Sequence, residues 1–268
     1  MQISEYGDQL SRLGQKVHFN DGICWLNVKP GYCRTAWRMQ TITPGSARPS
    51  FRHSYLGFSH ASDITNSSKS DYRILRRELP SGGSFSIDSL SANRRSKVRR
   101  GLKRCSITIA TDLSPYLNQM MDAAIDARVR TGTGKPVEYY RENSVAWQQE
   151  LVELSEMKDN YFLLSIIDDC VIAYFHCIVV EQSMSITAAK SHSRFLSDYP
   201  NDALVFSALD YAFNHWDCNA VLYGDYASQD EKLNEFKLGY GFEVYSVPQF
   251  EHLTTGGRLV KKLFVGSN

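Results

Sequence analysis

The chain has 268 residues, 43% of them hydrophobic and 22% charged, with a formal net charge of +1. That length suits one large domain or two small ones, with enough apolar residues for a sizeable core. The near-neutral balance excludes a protein that coats nucleic acid with its whole surface. The distribution of charge is uneven. Seven of the 30 basic residues fall between 94 and 104; without them 23 basic residues face 29 acidic ones, so the rest of the chain carries about −6. A local basic block implies a local partner or docking surface.

Residues 1–90 read as short strands with long loops. The opening stretch MQISEYGDQLSRLG has no apolar core of the signal-peptide kind. KVHFNDGICWLNV and SFRHSYLGFSH carry aromatic and β-branched residues between turn signals. TPGSARPS (43–50) and SDITNSSKSD (62–71) are loops by composition, and DYRILRRELP is an edge strand stopped by Pro80. Ser91 is placed to cap a helix beginning at Ala92. Leu90, Val98, Leu102 and Cys105 form a thin apolar seam on it, and Arg94, Arg95, Lys97, Arg99, Arg100, Lys103 and Arg104 occupy the remainder. No acid stands four residues away to pair with them. A nucleic-acid groove, a phosphate-bearing ligand, a membrane surface and a solvated helix are all compatible with this run. Gly101 costs this helix about 1 kcal/mol relative to alanine.

From 105 the pattern becomes regular. CSITIATD is a strand, followed by a helix over 114–132 capped by Ser114 and closed at Gly132, and a second helix over 137–157. YFLLSIID, CVIAYFHCIVV and QSMSITAAK are three strands with short connections, so they are expected to pair antiparallel. A helix over 201–216 capped by Asn201, a strand over 219–226, a short helix within 228–242 and a last strand over 243–250 complete the order β-α-α-β-β-β-α-β-α-β. Cys105, Cys170, Cys177 and Cys218 sit in or beside apolar runs and read as reduced core thiols, which fits a cytoplasmic location. No Cys/His cluster has zinc spacing, and no apolar run reaches the ~20 residues of a membrane-spanning helix, so neither a metal nor a membrane span is predicted.

The element order, with RRSKVRRGLKR ahead of the first strand, YPNDALVFSALDYAFNHW at a helix start and VLYGDY followed by LNEFKLGYGF, resembles the GCN5-related N-acetyltransferase (GNAT) superfamily. Within it, these segments resemble the Fem-like and cellulose-biosynthesis-associated branch over about residues 91–250. The resemblance implies an α/β fold: a GNAT-like mixed, largely antiparallel sheet flanked by helices in 91–268, with residues 1–90 as a smaller strand-rich portion. It departs from the branch at Pro200-Asn201, where Pro-Gly is usual, and at the following Asp202, whose charge opposes a pyrophosphate.

The resemblance implies acyl-CoA (acetyl-CoA) as co-substrate and transfer of its acyl group to an amino group. Backbone near Thr187, Ala188 and Ala189 would face the pantetheine arm and carbonyl, and small alanines permit close approach. Phosphates would meet backbone N–H groups of Asn201, Ala203 and Leu204 at a helix N-terminus, with Arg194 in reach. Lys237 is implied as a catalytic or phosphate-binding amine. Asp225 and Tyr226, with Tyr223, lie at the end of a central strand, and His192 follows the cofactor strand as an acid/base candidate. His176, inside an apolar strand, reads as a core histidine, and Glu181 as turn chemistry. Arg95, Arg99 and Arg100 are the candidate substrate-binding residues.

The leading expectation is an N-acyltransferase acting on a small-molecule or glycan-precursor acceptor, of the envelope or exopolysaccharide kind by the resemblance. The alternatives are a Fem-like transferase using aminoacyl-tRNA, whose RNA phosphates the basic helix would meet, and a non-catalytic GNAT-like binding module. DNA is not an expected partner, because the basic run lacks a recognition-helix pattern.

Overall fold

The computed structural model describes residues 1–63, 71–79, 83–226 and 229–265. The loop expected over 62–71 and the Pro80 stop fall largely outside them. The chain divides into two compact units, Met1–Ile74 with Tyr245–Asn268, and Leu75–Val244. This division crosses the strands β6 (Asp71–Glu78) and β12 (Glu243–Leu253), whereas the sequence reading cuts the chain at residue 90.

The first unit opens with a helix, α1 (Ile3–Arg12), where only strands and loops are expected. A capping box starts it: the Gln2 backbone N–H donates to Glu5 Oε2 at 2.7 Å. Strands β1 (Val17–Asn20) and β2 (Ile23–Lys29) form a hairpin whose turn residues Asp21 and Gly22 both have positive φ, 52° and 73°. The sheet continues through β3 (Tyr32–Thr35) and β5 (Gly57–Ser62) to β12, with β4 (Thr41–Ile42) beside β5. The segment read as one strand over 50–60 begins instead as a helical turn, α2 (Phe51–Ser54). A C-terminal helix, α9 (Thr255–Val265), is a further element the strand-based reading lacks. Trp25, Cys33, Ile42, Ala47 and Phe58 make one core of this unit.

The second unit is an α/β structure. Its sheet runs β6, β11 (Ala220–Asp225), β10 (Ser183–Ser191), β9 (Cys170–Val180), β8 (Asn160–Ile167), β7 (Ser106–Ala110). Pairs β7·β8, β8·β9 and β9·β10 are antiparallel and β10·β11 is parallel, so the sheet is mixed and largely antiparallel as expected. Helices α3 (Ala92–Arg104), α4 (Leu117–Thr131), α5 (Val137–Glu142), α6 (Ser144–Glu156), α7 (Pro200–Asn214) and α8 (Glu231–Leu238) flank it. Side-chain alternation on β8 and β9 fills both faces. Leu163, Phe175 and Cys177 join Leu204, Val205 and Ala208 of α7, while Phe162, Leu164 and Tyr174 join Met120 and Ala124 of α4.

Local chemistry moves several boundaries. Ser91 caps α3 as expected, its Oγ accepting from the Arg94 N–H at 3.4 Å. Ser114 does not cap α4. Asp112 Oδ1 accepts the Ser114 N–H at 2.8 Å, a short 3-10 turn over Ser114–Tyr116 follows, and α4 starts at Leu117. The helix expected over 137–157 is two helices. Asn143, at φ −120° and ψ 27°, breaks it and donates its side-chain amide back to the Tyr139 carbonyl at 3.1 Å. Cys105, Cys177 and Cys218 are buried thiols, but Cys170, at the first position of β9, is exposed rather than in the core.

Candidate functional site

Strands β10 and β11 pair only over Ser183–Ser185 and Ala220–Leu222. Beyond that they are no longer paired. The β10 register against β9 shifts between Ile186 and Ala188, so Thr187 falls at an irregularity. A cavity of about 490 Å3 opens here, bordered by Thr187, Ala189 and Lys190 of β10, Asn201 of α7, and Tyr223 and Lys237. Its volume lies in the range of small-molecule sites.

Lys237 is buried. Its Nζ donates to the Tyr223 carbonyl at 2.8 Å and stands 4.6 Å from the Tyr223 ring centroid. Burial pulls its pKa below the ordinary lysine value, and the charges of Asp230 and Asp225 oppose that shift. One ammonium proton serves Tyr223, which leaves further donors for a ligand. Gly224, beside Lys237 at the end of β11, has φ 68°, the left-handed region that favours glycine. Asp225 is exposed at the end of β11, and Tyr226 packs against the α7-side core; neither borders the cavity.

The expected phosphate site differs from its sequence reading. Helix α7 begins at Pro200, after Tyr199 in the left-handed region at φ 58°, so Asn201 is inside the helix and not its cap. Its side-chain amide donates to Ser191 Oγ at 3.1 Å and it borders the cavity. The Ala203 N–H is taken by the Tyr199 carbonyl at 3.1 Å, and Ala203 and Leu204 are both fully buried. Those two amides are therefore not free for phosphate, because the helix starts one residue earlier than its expected cap. Asp202 does not project toward a ligand. Its Oδ1 accepts from the Tyr240 hydroxyl at 2.6 Å and lies 3.6 Å from Arg94 Nη1.

His192 caps the 3-10 turn Ser193–Asp198: its Nδ1 accepts the Arg194 N–H at 3.2 Å and stands 3.8 Å from Asp126 Oδ1. Arg194 is exposed, with its guanidinium 5.4 Å from the Phe195 ring centroid. Neither residue borders the cavity, and Ala188, which pairs with His176, does not either. Glu181 occupies the β9–β10 turn at φ 54°.

Arg95, Arg99 and Arg100 are brought together elsewhere, with Ser96 and Lys103, around an open hollow of about 360 Å3 on the outer face of α3. Arg95 Nη1 donates to the Leu90 carbonyl at 2.8 Å, and Arg100 Nη1 to the Tyr199 hydroxyl at 3.3 Å. The opposite face of α3 packs on α7 at Gly101, where a Cβ would come within 2.6 Å of the Tyr199 carbonyl oxygen. The basic run thus serves partly as internal pairing, through Arg94 with Asp202 and Arg104 with Asp198.

Sequence reasoning missed Arg130, whose Nη2 donates to the Ser191 carbonyl and hydroxyl at 3.1 and 3.2 Å at the cavity edge. It also missed the side chain of Thr187, which joins His176 to the cavity. An imidazole amid apolar residues in CVIAYFHCIVV was the only available signal. Among the described residues no group of three metal-ligating side chains occurs, and no helix is long and apolar enough to cross a membrane.

The sequence matches no family model and no curated protein. Solved structures do match in fold. FemX is similar with a TM-score of 0.66 at 12% identity, over 98% of this chain and 93% of that one. L-PGS from Bacillus licheniformis is similar with a TM-score of 0.58 at 12% identity, over 99% and 91%. A GCN5-related N-acetyltransferase from Kribbella flavida is similar with a TM-score of 0.50 at 9% identity, over 97% and 96%. The fold is GNAT-like.

Proposed function

We propose that residues 75–244 transfer an acyl group to an amino group, with the donor carbonyl held in the cleft between β10 and β11. One observation carries this reading: the two strands are paired only at one end, beside a cavity bordered by the buried amine of Lys237. Acyl transfer to an amine needs an unprotonated nucleophile about 3 Å from the carbonyl and a donor aimed at the developing oxyanion. Lys237 suits the second task. Its Nζ is fixed by Tyr223, and burial favours its handing a proton to a leaving group. Ala189 leaves room for a ligand along β10. The donor in this reading is acyl-CoA, and the acceptor a small-molecule or glycan-precursor amine of the exopolysaccharide kind. A cytoplasmic site, where acyl-CoA is available, belongs to the same proposal.

A second reading, transfer from aminoacyl-tRNA, is favoured by a specific observation. The amides of Ala203 and Leu204 are spent inside α7, whereas Arg95, Arg99, Arg100 and Lys103 gather on an open face. A basic face suits nucleic-acid phosphates, whereas at α7 only the amides of Asn201 and Asp202 remain outside the intrahelical ladder, the second beside a carboxylate that opposes a pyrophosphate.

Calorimetry with acetyl-CoA and with deacylated tRNA, on the wild type and on Ala189→Trp, separates the readings. Saturable heat with acetyl-CoA that Ala189→Trp abolishes supports the first. Salt-sensitive binding of tRNA without binding of acetyl-CoA supports the second. Binding of neither ligand removes both and leaves a GNAT-like binding module.

A further inference from the structure

The wall of the cavity on β10 carries a side-chain chain that neither reading above uses. Thr187 Oγ1 lies 2.7 Å from His176 Nδ1 and 3.1 Å from the His176 carbonyl oxygen. His176 Nε2 lies 3.0 Å from Asn160 Oδ1, and the Asn160 side-chain amide donates to the Lys158 carbonyl at 3.1 Å. The His176 ring stacks on Phe162 with centroids 4.5 Å apart.

These contacts fix the protons. Asn160 Nδ2 must face the Lys158 carbonyl, since only the amide nitrogen donates. Asn160 therefore offers oxygen to His176, and that oxygen only accepts. The imidazole proton must then sit on Nε2, which leaves Nδ1 bare as an acceptor. The ring is neutral near pH 7, because burial pulls its pKa down to about 4. A threonine hydroxyl has one proton to give. Among the described residues both acceptors within its reach belong to His176, so that proton points into the sheet whichever of the two it takes. What the exposed Thr187 presents to the cavity is the lone-pair side of its oxygen.

We propose that Thr187 is a hydrogen-bond-accepting subsite of the cavity, oriented by His176 and Asn160, that selects a ligand carrying an N–H group against β10. An amide N–H and an amino group share this chemistry; an ester or ether oxygen at the same place meets lone pairs and is disfavoured. The inference rests on the reading of the cavity as a ligand site. It does not depend on which donor that site takes. Thr187 would touch the ligand, while His176 and Asn160 act through it as positioning residues.

The test uses the full chain labelled with 15N at histidine and matched probes, N-methylacetamide and methyl acetate, which differ in offering N–H or oxygen. The wild-type His176 spectrum should show a protonated Nε2 and a bare Nδ1. Thr187→Val, which removes the hydroxyl with little change of shape, should shift the Nδ1 resonance. Thr187→Ser should restore it. N-methylacetamide should shift the wild-type and Thr187→Ser signals saturably, and methyl acetate should not. Thr187→Val should lose at least a tenfold share of the N-methylacetamide affinity. An Nδ1-protonated ring, an equal response to the two probes, or an unchanged affinity in Thr187→Val overturns the proposal. Wild-type protein that responds to N-methylacetamide but binds neither acetyl-CoA nor tRNA would end the transfer reading and leave the subsite standing.

Discussion

The Tyr240 hydroxyl donates to Asp202 Oδ1 at 2.6 Å, joining the segment after α8 to the first turn of α7. Arg94 completes the cluster. Its guanidinium lies 3.6 Å from the same carboxylate oxygen and 5.1 Å from the ring centroids of both Tyr240 and Phe236. An acid that looks misplaced beside a phosphate site is thus a structural partner of one arginine and one tyrosine.

Replacing Asp202 by Ala leaves the Tyr240 hydroxyl and the Arg94 charge without their partner in a nearly closed site. Breaking such a cluster from one side should cost about 2–4 kcal/mol. Tyr240→Phe removes one hydrogen bond to a charged group and should cost about 1–3 kcal/mol. Urea unfolding of the two variants measures both. If Asp202 opposed a phosphate ligand instead, Asp202→Asn would raise affinity for acetyl-CoA in calorimetry; internal pairing predicts no gain.

Gly101→Ala should destabilise the protein although it improves local helix propensity by about 1 kcal/mol. The new Cβ would stand 2.6 Å from the Tyr199 carbonyl oxygen and 3.1 Å from Ala203 Cβ. Both neighbours belong to the start of α7, where the Tyr199 carbonyl already accepts the Ala203 N–H. Overpacking of this kind costs about 1–3 kcal/mol, enough to reverse the propensity gain. A rise in thermal midpoint for Gly101→Ala would show that α3 can move away from α7 without loss.

Much of the second unit was legible in the sequence because its elements carry strong local signals. CVIAYFHCIVV and its neighbours are apolar and separated by one or two turn residues, so antiparallel pairing followed directly. Ser91 stands before a helix with nothing competing for its side chain. Ser114 failed as a cap because Asp112 offers a stronger acceptor two residues earlier. Helix α1 carries no start signal in the sequence, because its cap position is Gln2 and not the Ser, Thr, Asp or Asn that marks a helix start. The candidate site divided in the same way. Ala189, Asn201 and Lys237 border the cavity, whereas His192, Arg194, Asp225 and Tyr226 do not. Sequence spacing places a residue near a strand end, but it does not say on which side of the opening between β10 and β11 its side chain lies. The pairing of His176 with Thr187 joins residues eleven apart through strand register, which no linear motif encodes.

The acid stability of the protein should carry a His176 contribution. Its folded-state pKa is lowered to about 4, against about 6.5 for an unfolded histidine. Between these values the folded state binds fewer protons than the unfolded one. The contribution is therefore complete above pH 6.5 and is lost as pH falls, up to about 3 kcal/mol by pH 4. His176→Phe keeps a ring against Phe162 and removes the titration. At pH 7 it should cost about 1–2 kcal/mol for the lost hydrogen bonds. That deficit should shrink, and then reverse, as pH approaches 4.5. A constant difference between variant and wild type across this range would show that the imidazole does not titrate with folding.

The outer face of α3 decides the tRNA reading. Arg95 and Arg100 are poor probes of it, because each also bonds within the chain, to the Leu90 carbonyl and the Tyr199 hydroxyl. Arg99 and Lys103 are better. Both are exposed and border the same hollow. An exposed, unneutralised pair of cations costs little to remove, so Arg99→Gln with Lys103→Gln should leave the unfolding midpoint within about 0.5 kcal/mol of wild type. If the face meets RNA phosphates, each lost contact removes about one from the slope of log affinity against log salt. The double variant should therefore bind tRNA more weakly at low salt, with a slope smaller by about two. Titrations of labelled tRNA between 50 and ~200 mM salt read both quantities. An unchanged slope would mean that α3 faces no phosphate backbone, and aminoacyl-tRNA would then lose the observation that favours it over acyl-CoA.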